Sequence, residues 1–363
     1  MNKKPSLYVC STTRFCGKST ICLGLAQNFK EKGYKVGYFK PIGWEMSRGV
    51  KGEKIDEDAQ LMIKVLDLDL SMDIIAPVIL SERFLEESSR IDSEEYMTNV
   101  LQAYEKASKD MDLMLIEGPS TIGIGISIGL DAGTLVKRFE AQVLKVACIE
   151  NDTTIDRIIW EKKTQNIINE QCLGIILNLI PKTDIERIKG FAIPTLKKHN
   201  IDVLGVIPEN AELKAPTVRE VCERTNATIL TRKDKLDSLI ENFLVGAMTP
   251  ESALTYFRRT LRKAVITGGD RTDIQLAALQ TDTSVLILTG NIYPDIRVIA
   301  RAEKIGVPIL LVHSDTYTTV RNIEFLTGRI RHNDNKKIQL AKKLVNTYVE
   351  WEKILKSVMV ESI

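Results

Sequence analysis

The sequence has few of the residues that build disulfide frameworks and metal centres. Its 363 residues include six cysteines and three histidines, with no C-x-x-C pair and no metal-ligand spacing. The net charge of +2 gives no reason to expect a basic surface that binds nucleic acid. No apolar run approaches the roughly 18 residues that span a bilayer, and the N-terminus lacks a secretory apolar segment. We therefore expect a cytoplasmic protein that binds neither nucleic acid nor membrane.

The cysteines are scattered along the chain. Cys10, Cys148 and Cys172 lie in apolar runs, which favours buried reduced thiols. Cys16 differs, because it lies close to Lys18 and to the start of a predicted helix, and such surroundings lower a thiol pKa. For Cys16 a redox switch therefore stays open as the alternative.

One segment has the pattern of a phosphate-binding loop. The apolar run Leu7–Cys10 leads through a polar stretch to Gly17-Lys18-Ser19-Thr20, which opens the predicted helix Ser19–Lys32. In such a P-loop the lysine reaches phosphates, the serine hydroxyl completes a Mg²⁺ shell, and the helix N-terminus supplies N–H donors. Thr12 stands where the usual G-x-x-x-x-G-K-[ST] pattern has its first glycine. Thr12 is strained if that position needs a positive φ, and unstrained if the loop is reshaped.

The fold class is predicted to be α/β, because apolar runs without polar alternation recur between helical patterns. Since 363 residues are more than a single hydrophobic core ordinarily serves, two domains are expected. We predict a doubly wound, mostly parallel sheet in a P-loop domain over residues 1–212. Its strands are predicted at Leu7–Cys10, Val36–Phe39, Leu113–Ile116, Lys145–Ile149, Leu173–Leu177 and Val203–Ile207.

A second, smaller α/β domain is predicted over residues 213–332. Thr217 and Glu220 form a capping box that starts a helix. Strands are predicted at Ala264–Thr267, Val285–Leu288 and Ile309–Val312, with helices at Asp273–Gln280 and Pro294–Lys304. Residues 333–363 predict one C-terminal amphipathic helix, which packs within the chain or joins two subunits, the first being commoner.

Several polar residues follow the predicted strands of the first domain, at the edge where parallel sheets bind ligands. Glu117 ends a buried strand, which favours a Mg²⁺ contact over a capping role. Lys40 follows another strand and is either a ligand contact or a solvated loop lysine. Asp58 belongs to an acidic triplet, which is a metal ligand or plain surface charge. The Asn178 amide could contact a base edge.

The second domain has three polar junctions between strands and helices, at 267–273, 289–291 and 313–319. If they converge at one edge of the sheet, they form a ligand site. The candidate residues are Asp270, Arg271, Thr272 and Thr316, of which Arg271 could make bidentate phosphate contacts. The alternative is that Asp270 or Thr272 only caps the next helix and that no ligand binds.

These motifs together resemble two known modules. Residues 1 to about 210 resemble the dethiobiotin-synthetase-like P-loop proteins, through Gly17-Lys18-Ser19, Lys40-Pro41, Asp58-Ala59-Gln60-Leu61, Glu117-Gly118, Asn178 and Gly205-Val206-Ile207-Pro208. Residues from about 217 to 330 resemble the DRTGG domain, through the segments 245–251 and 268–273. The combination is similar to the N-terminal, non-catalytic half of the long form of phosphate acetyltransferase.

The resemblance implies roles for individual residues. Lys18 would bind phosphates, and Lys40 would stabilise charge in phosphoryl transfer to a carboxylate-type acceptor, so both are candidate catalytic residues. Ser19, Glu117 and Asp58 would hold Mg²⁺, and Asn178 would contact adenine. The implied nucleotide-binding residues are Thr13, Arg14, Phe15, Cys16, Gly17, Lys18, Ser19, Thr20, Asn178 and Pro208.

The chain also departs from the first module. Trp44 lies in the expected substrate loop and would crowd a small substrate, and Pro119-Ser120-Thr121 replaces a glycine-rich run, so substrate identity does not carry over. We expect no acetyl transfer, because a catalytic domain of roughly 300 residues does not fit after residue 330.

Three hypotheses follow from these patterns. The first is a nucleotide-binding regulatory protein that uses ATP, or another nucleotide, with Mg²⁺. Its DRTGG domain would bind a second small ligand or mediate assembly as a homo-oligomer. The second is an ATP-dependent ligase that activates a carboxylate, and the third is a structural module with a vestigial P-loop. Whether the chain is an enzyme, as an ATPase or ligase, stays open.

Overall fold

The structure is a computed structural model, and it describes residues 4–13, 15–45, 47–48, 54–81, 83–88, 92–324, 326 and 328–360. The chain divides into two compact units. The first extends to Glu209 and resumes at Ile330, and the second comprises Asn210–Arg329. The C-terminal residues therefore belong to the unit that contains the P-loop.

The first unit is built round a parallel sheet. Its strands before Asn210 are β1 (Ser6–Ser11), β2 (Val36–Phe39), β3 (Ile42–Trp44), β4 (Ser47–Arg48), β5 (Lys54–Ile55), β6 (Val78–Leu80), β7 (Leu113–Glu117), β8 (Gln142–Ala147), β9 (Cys172–Ile180) and β10 (Val203–Pro208). Six of them form the sheet in the order β10-β9-β8-β1-β7-β2, and each neighbouring pair is parallel. β3 pairs with β6, and β4 with β5, in two small separate sheets.

Helices connect these strands. They are α1 (Lys18–Glu31), α2 (Glu57–Leu66), α3 (Met72–Ile75), α4 (Phe84–Ser88), α5 (Ser93–Ala107), α6 (Ala132–Phe139), α7 (Thr153–Thr164), α8 (Asn166–Glu170), α9 (Ile185–Arg187) and α10 (Ile193–Lys198). α2 begins where the Asp56 side chain accepts a hydrogen bond from the Ala59 amide, which is how an aspartate starts a helix.

The predicted parallel sheet is confirmed, and its position in the core explains why the sequence revealed it. Every residue of β1, β2, β7 and β8 is buried, so these strands have no polar face to alternate with the apolar one. β8 runs from Gln142 to Ala147, whereas the apolar pattern placed it at 145–149. The chain leaves the sheet after Ala147, which brings Cys148 towards the P-loop.

The second unit has its own sheet and helices. The helices are α11 (Ala211–Lys214), α12 (Val218–Thr225), α13 (Pro250–Arg259), α14 (Thr272–Ala278), α15 (Ile296–Ile305) and α16 (Thr316–Glu324). The strands are β11 (Thr228–Thr231), β12 (Asn242–Val245), β13 (Lys263–Gly268), β14 (Thr283–Thr289) and β15 (Ile309–Leu311). The order is β11-β15-β14-β13-β12, and only the β11–β15 pair is antiparallel among the described strands of this sheet.

In this unit the local sequence patterns revealed a helix start but not the strands at the edges of the sheet. The capping box is confirmed, because the Glu220 amide donates to Thr217 Oγ1 and the Thr217 amide donates to the Glu220 carboxylate. The sequence patterns did not reveal the two edge strands, β11 and β12. Their residues are mostly half-buried or exposed, so the apolar signal there is weak.

The single helix predicted over 333–363 is wrong. The structure has two helices, α17 (Asn335–Tyr348) and α18 (Trp351–Val360), separated by Val349 in an extended conformation. Val349 forms a bridge with Gly205, and the Glu350 amide donates to the Leu204 carbonyl. The break therefore adds main-chain hydrogen bonds at the edge strand β10, which an unbroken helix could not form.

The two C-terminal helices pack against α1. The Phe29 and Trp351 rings lie 6.4 Å apart, and a Cβ at Gly24 would collide with Val345. Glycine therefore allows the close approach of α17 to α1. Within the described residues, no helix combines the length and the apolar character needed to cross a membrane.

Candidate functional site

The P-loop connects β1 to α1 and is shaped by two residues with positive φ. These are Phe15, with a φ of 58°, and Gly17, with a φ of 76°. Thr12 is absent from the described residues with positive φ, and its amide donates to the Val146 carbonyl at 3.2 Å. The reshaped-loop alternative is therefore correct, and Thr12 carries no backbone strain.

Gly17 is required by its conformation and by its neighbour. A Cβ at this position would collide with the side-chain amide of Asn178. That amide donates a hydrogen bond of 2.8 Å to the carbonyl oxygen of Cys16. β9 thus supports the loop from beneath, and only glycine fits in the left-handed position above Asn178.

Lys18 is the first residue of α1 and is buried. Its ammonium group donates to Ser11 Oγ at 3.2 Å. Ser11 Oγ also lies 2.9 Å from the carbonyl oxygens of Thr13 and Ser120. The lysine charge is therefore positioned at the helix N-terminus, where oriented N–H groups favour an anion.

Glu117 accepts hydrogen bonds from two hydroxyl groups on different elements. Ser19 Oγ donates to Glu117 Oε1 at 2.9 Å, and the Tyr38 hydroxyl donates to Glu117 Oε2 at 2.9 Å. Burial raises the pKa of Glu117, while the nearby Lys40 charge opposes that rise. The strand β7 thus delivers a buried carboxylate to the first turn of α1.

Lys40 is buried among three carboxylates. Its Nζ atom lies 2.9 Å from Asp56 Oδ1, 2.9 Å from Asp58 Oδ2 and 3.7 Å from Glu117 Oε1. Burial lowers the pKa of Lys40, but the charges of Asp56, Asp58 and Glu117 outweigh this effect and raise it well above its ordinary value. Lys40 is therefore a permanent positive charge next to Glu117.

The predicted metal ligands fit Mg²⁺ by their chemistry, but not all of them by their position. Ser19, Glu117 and Asp58 offer only oxygen atoms, which suit a hard cation. The Ser19 and Glu117 oxygens lie 2.9 Å apart, so one ion could contact both. The Lys40 ammonium pairs with both Asp58 and Glu117, and thus links Asp58 to this point. Among the described residues, no three His, Cys, Asp or Glu side chains are grouped so that they could hold a metal ion.

The remaining predicted residues of this site have different positions. Thr13 Oγ1 lies 2.6 Å from the Cys16 sulfur, Phe15 is exposed, and Thr20 lies in the first turn of α1. Pro208 ends β10, and Arg14 lies outside the described residues. Because Asn178 already supports the Cys16 carbonyl, its contact with adenine stays a prediction.

The sequence patterns missed three residues of this site. Ser11 contacts Lys18, Tyr38 contacts Glu117, and Asp56 contacts Lys40. Asp56 had the clearest signal, since an aspartate before an apolar helical pattern predicts an N-cap. Ser11 and Tyr38 carry no comparable local signal, because their partners are distant in the sequence.

The second candidate site lies in the second unit, and several of its polar residues contact one another. Thr316 Oγ1 lies 3.0 Å from Thr289 Oγ1, and Thr289 Oγ1 donates to the Thr267 carbonyl at 3.4 Å, so all three junctions meet at one edge of the sheet. Arg271 donates to both carboxylate oxygens of Asp273 and to the Met248 carbonyl. Arg271, rather than Asp270 or Thr272, is the N-cap of α14, and no side chain caps it. The alternative in which Asp270 or Thr272 caps this helix is therefore wrong, and the ligand role of these residues stays a prediction.

Comparisons with known proteins find two family models along the chain. One, described as an AAA domain, matches residues 5–217, and one described as a DRTGG domain matches residues 220–326. Phosphate acetyltransferase from Nitratidesulfovibrio vulgaris is 27% identical over 365 residues, which cover 95% of this chain and 50% of the relative. Phosphate acetyltransferase from Synechocystis sp. is 26% identical and is similarly covered, at 96% and 51%.

These findings confirm the two-module resemblance drawn from the motifs. The chain spans about half the length of the curated relatives that it matches. Among solved structures, a ParA family ATPase from Chlorobium tepidum matches with a TM-score of 0.36 and 14% identity, covering 59% of this chain and 87% of that chain.

Proposed function

The chain belongs to the AAA domain family, and on that premise we propose that it is a nucleotide-binding regulatory protein. The P-loop unit binds ATP, or another nucleotide, together with Mg²⁺. The DRTGG unit binds a second small ligand or mediates assembly as a homo-oligomer.

The phosphate cradle is the observation that carries the proposal. Gly17 adopts a left-handed conformation directly before α1, and Lys18 lies in the first turn. Backbone N–H groups at a helix start bind anions, and a lysine charge beside them adds to the attraction. The hydrogen bond from Asn178 to the Cys16 carbonyl fixes the loop before a ligand arrives. Such preorganisation lowers the entropy cost of binding phosphate.

The metal is assigned to the hydroxyl of Ser19 and the carboxylate of Glu117. Mg²⁺ is usually bound through one or two protein ligands together with phosphate oxygens. The Tyr38 hydroxyl, which donates to the other carboxylate oxygen, orients Glu117 for this role. Asp58 would join the shell after its ion pair with Lys40 rearranges. When bound, Mg²⁺ would neutralise charge on the terminal phosphates.

The contacts of Lys40 favour a regulatory role over a ligase role. A ligase of this kind needs a lysine that stabilises charge on the transferring group. In the structure, Asp56 and Asp58 both contact the Lys40 ammonium, and the Trp44 amide donates to Asp56. This network holds the Lys40 charge in place beside Glu117. A lysine that is held in this way supports nucleotide binding more directly than transfer of a phosphoryl group.

Isothermal titration calorimetry with ATP and Mg²⁺ tests the proposal. We expect the wild-type protein to bind, and Lys18→Ala to lose at least about tenfold in affinity, because charged hydrogen bonds contribute about 1.5–3 kcal/mol. Lys30→Ala is the matched control, since Lys30 lies at the far end of the same helix and pairs with Asp67 on the surface. No binding by the wild type, or equal binding by Lys18→Ala, overturns the proposal.

Three further measurements test the finer parts of the proposal. Removing Mg²⁺ with EDTA should weaken binding in the wild type and should have less effect in Ser19→Ala. Analytical ultracentrifugation with and without ATP tests for assembly. Release of ADP stimulated by a carboxylic acid, and lost in Lys40→Ala, would show that the chain is a ligase instead.

A further inference from the structure

Two cysteines that are distant in the sequence meet beside the P-loop. The sulfur atoms of Cys16 and Cys148 lie 3.0 Å apart, although 132 residues separate them. Cys16 immediately precedes Gly17, and Cys148 immediately follows β8. None of the six cysteines forms a disulfide bond. The pair is therefore a dithiol in a loop whose backbone is part of the phosphate cradle.

The sheet explains why these sulfurs meet. β8 lies parallel to β1, with Ser11 opposite Val146, so both strands end at the same edge. The Cys148 amide donates to the Cys16 sulfur at 3.3 Å, while Asn178 holds the Cys16 carbonyl. Neighbouring strands of one sheet thus fix both the side chain and the backbone of Cys16.

The surroundings give the two thiols different roles. Hydrogen bonds lower the pKa of Cys16 to about 6, chiefly the one from the Cys148 thiol, together with those from Thr13 and the Cys148 amide. The hydrogen bond to Cys16 and burial raise the pKa of Cys148. Cys16 is therefore largely a thiolate at neutral pH, and Cys148 keeps its proton. A thiolate beside a protonated thiol has the pattern of an attacking cysteine and a resolving cysteine.

Access to the pair favours a small oxidant. Cys16 is buried, but Cys148 is partly exposed, so the pair reaches the surface of the unit at Cys148. Hydrogen peroxide is little larger than water, and it reacts with thiolates. A disulfide bond needs the sulfurs at about 2.0 Å, so the observed separation of 3.0 Å closes by about 1 Å without a change of fold.

We propose that Cys16 and Cys148 form a redox-modification site, which hydrogen peroxide converts to a disulfide bond and which thereby weakens nucleotide binding. In the first step, the Cys16 thiolate attacks one peroxide oxygen and the O–O bond breaks. Cys16 becomes a sulfenic acid, and the leaving hydroxide takes up a proton to form water. In the second step, the Cys148 sulfur attacks the Cys16 sulfur, the S–O bond breaks, and a second water leaves with the Cys148 proton. The two sulfurs lose two electrons, and the peroxide gains them.

The expected effect on the nucleotide follows from the position of Cys16 and rests on the proposed function. Closing the sulfur separation pulls the backbone before Gly17 towards β8, while Asn178 holds the neighbouring carbonyl. The N–H groups of the cradle then lose their alignment with phosphate. We expect the oxidised protein to bind ATP and Mg²⁺ at least about tenfold more weakly than the reduced protein.

The chemical step is tested by peptide mapping under non-reducing conditions after treatment with hydrogen peroxide. We expect a Cys16–Cys148 linkage that dithiothreitol reverses. Cys148→Ser should stop at a sulfenic acid on Cys16, which dimedone traps, and Cys16→Ser should leave Cys148 unreacted. Cys222→Ser is the control, because Cys222 lies in the other unit and its loss should change nothing. The proposal is overturned if the wild type forms no Cys16–Cys148 linkage. It is also overturned if disulfide bonds to Cys222 form at the same rate as that linkage.

The regulatory step is tested by titrating ATP and Mg²⁺ into the reduced and the oxidised wild type. Because the coupling is reciprocal, bound nucleotide should raise the reduction potential of the pair by about 30 mV for a tenfold difference in affinity. Equal affinities in the two forms overturn the regulatory step. If the reduced protein binds no nucleotide, the proposed function and this regulatory step both fail. The peptide map then still decides the chemical step by itself.

Discussion

The side-chain nitrogen of Asn178 lies 2.8 Å from the carbonyl oxygen of Cys16, directly beneath the phosphate-binding loop. This contact connects β9 to a loop that begins more than a hundred residues earlier. It also fills the space that a side chain at Gly17 would need. The shape of the loop therefore depends on a strand that contributes no residue to the P-loop motif.

Gly17→Ala should lose both stability and nucleotide affinity. An alanine in a left-handed conformation costs about 1–2 kcal/mol, and the collision with Asn178 adds to this. Gly33→Ala is the matched control, because Gly33 also has a positive φ, of 94°, but nothing lies within 4 Å of its added Cβ. Urea denaturation should show a larger loss for Gly17→Ala than for Gly33→Ala. Equal losses would mean that Asn178 yields without cost.

Asp56→Asn should destabilise the protein much more than Asp58→Asn. Asp56 is buried and accepts hydrogen bonds from Lys40, Ala59 and Trp44. Asn keeps the helix cap but loses the charge opposite Lys40, for which we expect a loss of about 2–3 kcal/mol. The Asp58 side chain is 37% exposed, so its pair with Lys40 contributes less. Urea denaturation without Mg²⁺ compares the two variants, and the reverse order would contradict this assignment.

Gly24→Ala should destabilise the protein, although alanine favours helices by about 1 kcal/mol over glycine. The added methyl group collides with Val345 of α17, and overpacking typically costs about 1–3 kcal/mol. A Val345→Ala background removes the contact with Val345 Cγ2, but the Cβ atom of residue 345 and the Ala341 carbonyl oxygen stay close to the added carbon, so Gly24→Ala should there be less destabilising than in the wild type. A double-mutant cycle by thermal denaturation measures the difference. Additive effects would show that α17 does not pack against Gly24.

The stability contribution of Glu161 should depend on pH. Glu161 is buried, and its Oε2 atom lies 3.6 Å from Lys145 Nζ. Burial raises the pKa of Glu161 above the ordinary 4.5, and Lys145 only partly opposes this. Since the folded pKa exceeds the unfolded one, the contribution is complete below the unfolded value and is lost as pH rises through the folded value.

Glu161→Gln provides the comparison for this pH dependence. The free energy of unfolding of the wild type, relative to this variant, should fall as pH rises above the ordinary pKa of 4.5, by about 1.4 kcal/mol for each unit of pKa shift. Urea denaturation at a series of pH values measures the difference. A constant difference, or one that grows with pH, would mean that Lys145 outweighs burial.

Local patterns determined much of the fold and part of the candidate site. Gly17-Lys18-Ser19 between a buried strand and a helix predicts a phosphate loop because the required conformations involve only adjacent residues. Thr217 and Glu220 predict a helix start for the same reason. Glu117 was found because the end of a buried strand places its side chain at the edge where ligands bind in parallel sheets.

Only the tertiary structure decided which distant residues meet. The contacts of Lys40 with Asp56 and of Cys16 with Cys148 depend on strand order and register, which no local pattern specifies. The helix break at Val349 likewise depends on the open edge of β10. Thr12 is unstrained because the loop places its positive φ values at Phe15 and Gly17. The sequence alone thus determined the elements and the kind of loop, because neighbouring residues set their backbone geometry. The packing of the sheet decided which charges and thiols surround that loop.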